Sequence, residues 1–428
     1  MKKKSLLIFA AVVVLAGGWM ASQRFKAAPP KVAPSGPQKQ SWWKYGGNVQ
    51  NSYFGVGKDT KGKIAWTYHA PSRIFESPAI GADGTLYFQC MNAKAYALDS
   101  KTGKVKWGSN VNNLPFWQKI PHISSLSYGP CKGIITPAVG SNNMVYFPSI
   151  DGNLYALDSA SGKRKWIFVE KKIPESVSST ICINMSSPTV TRDNKVVFCK
   201  NNNVYAVDGD TGKTVWMHKE NWKQTDFGGV EGSIPAIGND GTIYVGGAIA
   251  LDPSNGKVKW RNIKSRPVSI SIDNNHLYLY GANPDEGYIA AIDYKTGNEK
   301  WRFTPPVKRL RKPSELPENV LAGYGPAIGT DGTVYAGDGS NIYAINPANG
   351  KVKWTGRGLW QPREVSPIIA SNDRLYLARD ENIAVIDSRT GKLIKTIPLK
   401  ASRVKAAVMG ADGTIYVVCN DNMLIAVD

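Results

Sequence analysis

The side chains that could do chemistry are few, and their spacing argues against most of it. Histidine occurs four times, at His69, His122, His218 and His276, with no spacing suited to a metal site. No serine–histidine–aspartate constellation can be read from these positions. The triplet Gly212-Lys213-Thr214 has the ending of a phosphate loop but lacks its leading glycine, and Gly-Lys recurs along the chain, so it reads as a turn. Aspartates also recur, at the ends of short apolar phrases, and read as turn residues rather than as a row of catalytic carboxylates. Of five cysteines, Cys90, Cys199 and Cys419 sit in apolar alternating segments and read as small buried hydrophobes. Cys131 and Cys182 fall in loops expected on one face, where an oxidising compartment would allow a disulfide. No catalytic residue and no metal ligand is assigned.

The elements behind these residues come from internal repetition. The phrase Gly-Lys-x-x-Trp places tryptophans at Trp66, Trp107, Trp166, Trp216, Trp260, Trp301 and Trp354, and an eighth copy carries Lys395 instead. A Tyr-Ala-Leu-Asp-like strand precedes each copy except the first, as in Tyr96–Asp99 and Tyr205–Asp208. Before that strand comes a Pro-Ala-Ile-like run, an Asp-Gly pair and an alternating segment, clearest in Pro78–Phe88, Pro235–Val245 and Pro326–Tyr335. Asp83-Gly84, Asp240-Gly241, Asp331-Gly332 and Asp412-Gly413 are hairpin turns, where glycine supplies the positive φ. One unit is thus a four-stranded antiparallel sheet, and radial stacking would cover its faces, with the tryptophans filling the gaps between sheets. The first three strands occur eight times, but only seven fourth strands follow them. The missing strand is Gly62–Tyr68, so an eight-bladed all-β propeller closed by an N-terminal strand is expected.

These phrases resemble the pyrroloquinoline-quinone-like repeat superfamily over residues 42–428, including the opening Trp42-Trp43-Lys44-Tyr45-Gly46-Gly47-Asn48. The resemblance implies the propeller fold. It leaves function open, because members include quinoprotein dehydrogenases, outer-membrane assembly propellers of the BamB type, and sensor or binding domains. The dehydrogenases hold pyrroloquinoline quinone with calcium or a lanthanide and often carry a vicinal disulfide. This chain has no Cys-Cys pair and lacks their large insertions. No cofactor is expected, with quinone and calcium as the alternative.

Strand alternation puts the long insertions Gly108–Ile135, Ile167–Ser186, Met217–Ser233 and Arg302–Tyr324 on one face, where binding is expected. They carry Phe116, Trp117, His122, Tyr128, Trp222, Phe227, Lys308, Arg309, Arg311 and Lys312, a mixture suited to a protein or anionic polymer partner. Residues just before the innermost strands should ring the channel mouth: Glu76, Asn184, Glu231, Arg266, Tyr324, Arg363, Glu364 and Arg403. Such converging charges suit a small ligand or a peptide terminus.

The formal charge is +20, and residues 1–40 hold seven Lys/Arg with no Asp or Glu, leaving 46 basic against 33 acidic residues beyond them. That excess favours phospholipid head groups, wall polymers or acidic envelope proteins, and no nucleic-acid partner is expected. Lys2, Lys3 and Lys4 precede an apolar stretch, Ser5–Ala21, which reads as a signal or transmembrane anchor within residues 1–26. Acceptable cleavage positions lie only deep inside it, so an uncleaved anchor is expected. Residues 27–41 form a Pro-rich linker, and the propeller is expected outside the cytoplasmic membrane.

Overall fold

In the computed structural model, residues 44, 46–48, 50–51, 54–55, 57, 59–111, 136–149, 151–170, 185–219, 233–246, 248–262, 267–273, 276–282, 287–306, 325–338, 341–359, 366–379 and 381–428 are described. The stretch Ser5–Ala21 and the linker lie outside them. Among the described residues no helix is long and apolar enough to cross a membrane.

The strands form eight sheets, each with four antiparallel strands in meander order. Blade 1 runs Ala79–Ile80, Leu86–Cys90, Lys94–Leu98 and Val105–Asn110. Blades 2 to 8 begin their innermost strands at Ala138, Thr189, Ala236, Pro267, Ala327, Ile368 and Val404. Blade 8 takes its outermost strand, Ile64–His69, from the N-terminal side, pairing Trp66 with Ala426. Lys63 and Asp428 exchange backbone hydrogen bonds of 3.0 and 2.8 Å at that seam. The expected closure is therefore present.

Each repeated phrase has a local cause. The Asp-Gly hairpins hold Gly84, Gly241, Gly332 and Gly413 at φ of 81°, 83°, 78° and 91°. The aspartate ending the third strand caps its own turn: Asp99 Oδ1 accepts from the Thr102 amide at 2.9 Å and the Thr102 hydroxyl at 2.8 Å. Those bonds hold the Asp99 carboxyl below its usual range, the Thr102 hydroxyl contributing most. Asp158 and Asp208 repeat the arrangement with Ser161 and Thr211.

Neighbouring blades are joined by the tryptophans. Trp107 Nε1 in blade 1 donates to Ser159 O of blade 2 at 3.0 Å, and its ring lies against Gly162. The same donation runs from Trp66 to Ser100, Trp166 to Gly209, Trp216 to Pro253, Trp260 to Tyr294, Trp301 to Pro347 and Trp354 to Ser388. Within its own blade each indole stands opposite an alanine, as Trp107 does to Ala97, and a bulge follows that pair. The alanine leaves the volume that the indole fills. In five blades a second-strand tyrosine reaches the same carbonyl; Tyr87, for example, donates to Ser159 O at 3.1 Å.

The eighth junction differs. Lys395 replaces the indole and faces Val385 rather than alanine. Its ammonium donates to Thr60 O at 2.9 Å, Tyr376 donates to the Asp59 carboxylate, and Arg374 lies 3.8 Å from that carboxylate. A polar junction thus stands where the other seven use an aromatic one.

Three outcomes follow from this packing. A Cβ at Gly162 would lie 2.6 Å from the Trp107 ring, at φ 69°, whereas Gly358 at φ 64° faces open space. Gly162→Ala should destabilise by about 2–5 kcal/mol and Gly358→Ala by about 1–2 kcal/mol, read from urea unfolding midpoints. Deleting residues 62–68 should open the ring, and an unchanged melting temperature would contradict the closure. Burial pushes the hydroxyls of Tyr87, Tyr335 and Tyr416 up to about 12 from 10. The folded state then holds protons that the unfolded chain has released, so this stability is complete below pH 10 and is lost as pH climbs to about 12. Phenolate absorbance should rise together with loss of the β circular-dichroism signal rather than ahead of it.

Candidate functional site

Of the residues expected to ring the channel mouth, Glu76 and Arg403 are described, the latter accepting from Asn420 N at 3.0 Å through its backbone carbonyl. Glu76 meets Lys405, whose ammonium is 3.7 Å from its carboxylate and 3.1 Å from Ile74 O. Lys405 stands at the register position of Glu76 in the next blade, three residues before the one that pairs with a second-strand tyrosine. The Lys405 side chain is only 8% exposed, against 33% for Glu76, so the pair fastens blade 8 to blade 1 and presents mainly the carboxylate. Asn184, Glu231, Arg266, Tyr324, Arg363 and Glu364 lie outside the described residues. So do the loop residues Phe116, Trp117, His122, Tyr128, Trp222, Phe227, Lys308, Arg309, Arg311 and Lys312, and the pair Cys131 and Cys182.

Other candidates resolve into packing. Cys90, Cys199 and Cys419 are free, buried thiols that burial pushes up to about 12, far from a reactive thiolate. Lys213 follows Gly212, which packs on the Trp166 ring, so the Gly-Lys-Thr triplet is a hairpin. His276 lies 3.6 Å from Asp273, which also accepts from Tyr278 at 2.7 Å within one hairpin. Among the described residues no group of three or more His, Cys, Asp or Glu could hold a metal ion.

One polar cluster has no counterpart in the sequence phrases. Glu170 accepts from Tyr205 and from Asn201, each at 2.6 Å, and lies 3.8 Å from Lys200. The Lys200 ammonium donates to Gly152 O, tying blade 3 to blade 2. Burial lowers the Lys200 pKa, with Glu170 opposing.

The described residues between Lys44 and Gly57 cross the inner wall at the hairpin end of the ring. Gln50 donates to Asn239 of the first hairpin of blade 4 at 2.8 Å, and its carbonyl accepts from Ile272 N of blade 5 at 2.9 Å. Ser271 donates to Asn51 O at 2.8 Å, and Asn51 Nδ2 donates to Ile234 O at 3.4 Å. Phe54–Gly55 then pairs parallel to Ile369–Ala370 as a fifth strand of blade 7. Ser371 donates to Gly57 O at 3.0 Å. Blades 4, 5 and 7 are thereby bridged by one segment. Lys44 is fully buried within it, donating to Asn51 Oδ1 at 2.5 Å and Pro235 O at 3.3 Å.

With this geometry in view, the similarities to known proteins can be placed. A family model described as outer membrane protein assembly factor BamB matches residues 58–221 and 200–428. The dehydrogenase subunit of a quinone alcohol dehydrogenase from Gluconobacter oxydans is 26% identical over 271 residues, covering 56% of this chain and 33% of that one. BamB of Yersinia pestis is 23% identical over 249 residues, covering 52% of this chain and 58% of that one. The chain therefore spans from a third to under three fifths of the length of these curated relatives. The crystal structure of BamB from Moraxella catarrhalis matches with a TM-score of 0.60 at 15% identity, covering 85% of this chain and 98% of that one. Quinohemoprotein alcohol dehydrogenase from Comamonas testosteroni matches at 0.65 and 16%, covering 90% and 77%. At such identities these two likenesses speak for the fold. The family match runs across the blades and their tryptophan junctions, and the chain belongs to the PQQ-like β-propeller family whose model is described by BamB.

Proposed function

We propose that the chain is an extracytoplasmic, non-catalytic binding scaffold of the cell envelope, held at the membrane by Ser5–Ala21. The observation that carries this reading is how the repeated carboxylates are engaged. Asp99, Asp158, Asp208, Asp252, Asp293 and Asp387 each cap their own hairpin. The ring is then a rigid frame, and variety in side chains is left to the long loops of one face. The partners that fit are envelope proteins or anionic wall and membrane polymers, engaged through those loops and the mouth residues. The matches to BamB of Yersinia pestis support the class of function without naming the partner.

A second reading, a quinone-dependent oxidoreductase, is favoured by the match to the Gluconobacter oxydans subunit. The two separate in one experiment on the full chain. Titration with pyrroloquinoline quinone and calcium, followed by tryptophan quenching, should show no saturable binding at micromolar quinone. Crosslinking in native membranes should capture a defined envelope partner. Saturable, calcium-dependent quenching would replace the scaffold reading with the oxidoreductase.

A further inference from the structure

The segment from Lys44 to Gly57 is held to the inner wall by neutral contacts, with one exception. Gln50 meets Asn239, Ser271 meets the Asn51 carbonyl, Ser371 meets the Gly57 carbonyl, and Phe54–Gly55 pairs with blade 7 through its backbone. None of these bonds changes with protonation near neutral pH. The approach is close: a Cβ at Gly57 would lie 2.6 Å from Gly410 O, and one at Gly46 would lie 2.7 Å from Asn51 Cα. The exception is Lys44, the one Asp, Glu, Lys, Arg or His between positions 44 and 57.

The Lys44 side chain is fully buried, and its amine meets two neutral acceptors, Asn51 Oδ1 at 2.5 Å and Pro235 O at 3.3 Å. Other buried lysines keep a carboxylate: Lys405 has Glu76 at 3.7 Å and Lys200 has Glu170 at 3.8 Å. Nothing similar serves Lys44 among the described residues. Of the elements packed against Lys44 and Asn51, Ala236–Ile237 and Pro267–Ile272 contain no ionisable residue. The hairpins that follow them hold Asp240, taken by Thr242 and Lys259, and Asp273, taken by Tyr278 and the amide of His276, whose ring lies 3.6 Å away. A lone ammonium withdrawn from water is so unfavourable that the group gives up its proton instead. Burial accordingly drives the Lys44 pKa well below its ordinary value.

We propose that the segment from Lys44 to Gly57 is a proton-sensitive strap, seated on the inner wall with Lys44 uncharged and released when that amine takes up a proton. Release would uncover Asn239, Ser271 and Ile369 on the wall and free the chain that precede it from blades 4, 5 and 7. The sign follows from the two states. In the released strap Lys44 titrates at its ordinary 10.5, and in the seated strap below it. Between those values the released form holds one proton more, so each unit by which pH falls weakens seating about tenfold. Seating is complete above 10.5, and its loss levels off once pH has passed the seated value. The inference does not depend on what the loop face binds.

The test is hydrogen exchange of the full chain from about pH 9 to about pH 6, corrected for intrinsic exchange and read by mass spectrometry. The opening constant of a peptide spanning 46–57 should rise about tenfold per unit of pH lowered, until it levels off, while that of a blade 3 peptide spanning 196–208 stays constant. Lys44→Met, close in volume and uncharged, should keep 46–57 protected with no slope. The proposal is overturned if the wild-type constant for 46–57 does not move with pH, if 196–208 moves with it, or if the slope persists in Lys44→Met. Should Lys44→Met fail to fold, Lys44→Arg decides: a guanidinium stays charged over this range and must leave 46–57 open throughout. Wild-type protection of 46–57 in Lys44→Arg overturns the proposal.

Discussion

Everything in this ring depends on one contact, an indole that lies across a glycine of the next blade while its N–H donates to a carbonyl there. The contact constrains three residues together. The glycine must lack a Cβ because the ring leaves no room for one, and its positive φ independently excludes most side chains. The residue opposite the indole must be small, and alanine stands there in all seven aromatic junctions. The carbonyl must be turned outward by a capped hairpin, which the aspartate provides. Sequence phrases that look like separate habits of composition are thus parts of one joint.

The junction between blades 7 and 8 shows what happens when the joint cannot be built. Elsewhere the receiving carbonyl belongs to a continuous hairpin. Here the hairpin is cut, because the outer strand of blade 8 comes from the other end of the chain. Asp59 and Thr60 occupy the place of that turn, and they present a carboxylate and a displaced carbonyl. The lysine, with Val385 opposite it, reaches the Thr60 carbonyl, and the Tyr376 hydroxyl reaches the Asp59 carboxylate. The lysine thus stands at the one junction among the described blades whose turn and outer strand come from a separate stretch of chain.

How much of this was legible from the sequence divides along the same line. The strands, the hairpins, the aromatic junctions and the closing strand could be read because each is repeated, and repetition supplies its own template. Lys395 could be seen as a departure, yet its partner Thr60 could not, since nothing in the phrase points outside it. The segment from Lys44 to Gly57 occurs once, so no copy indicated that it bridges three blades or buries a lysine. Lys405 escaped notice for a related reason. Blade 8 has Ala407 where most blades have the opening proline, which hid the true start of its innermost strand. The anticipated mouth residues fall largely in single-copy loops, and only Glu76 and Arg403 can be placed.

The joining of Thr60 to Val427 across 367 positions of sequence also orders events in time. The strand Ile64–His69 emerges early, carrying Trp66, but its partner Met423–Val427 follows the strands of all the other blades in the chain. Until then one strand waits unpaired while blades 1 to 7 assemble behind it, and the cost of bringing the two ends together is met only at the last step. An exposed edge of this kind is a template for wrong pairing with other chains. The moment at which the ring closes is therefore also the most vulnerable to aggregation.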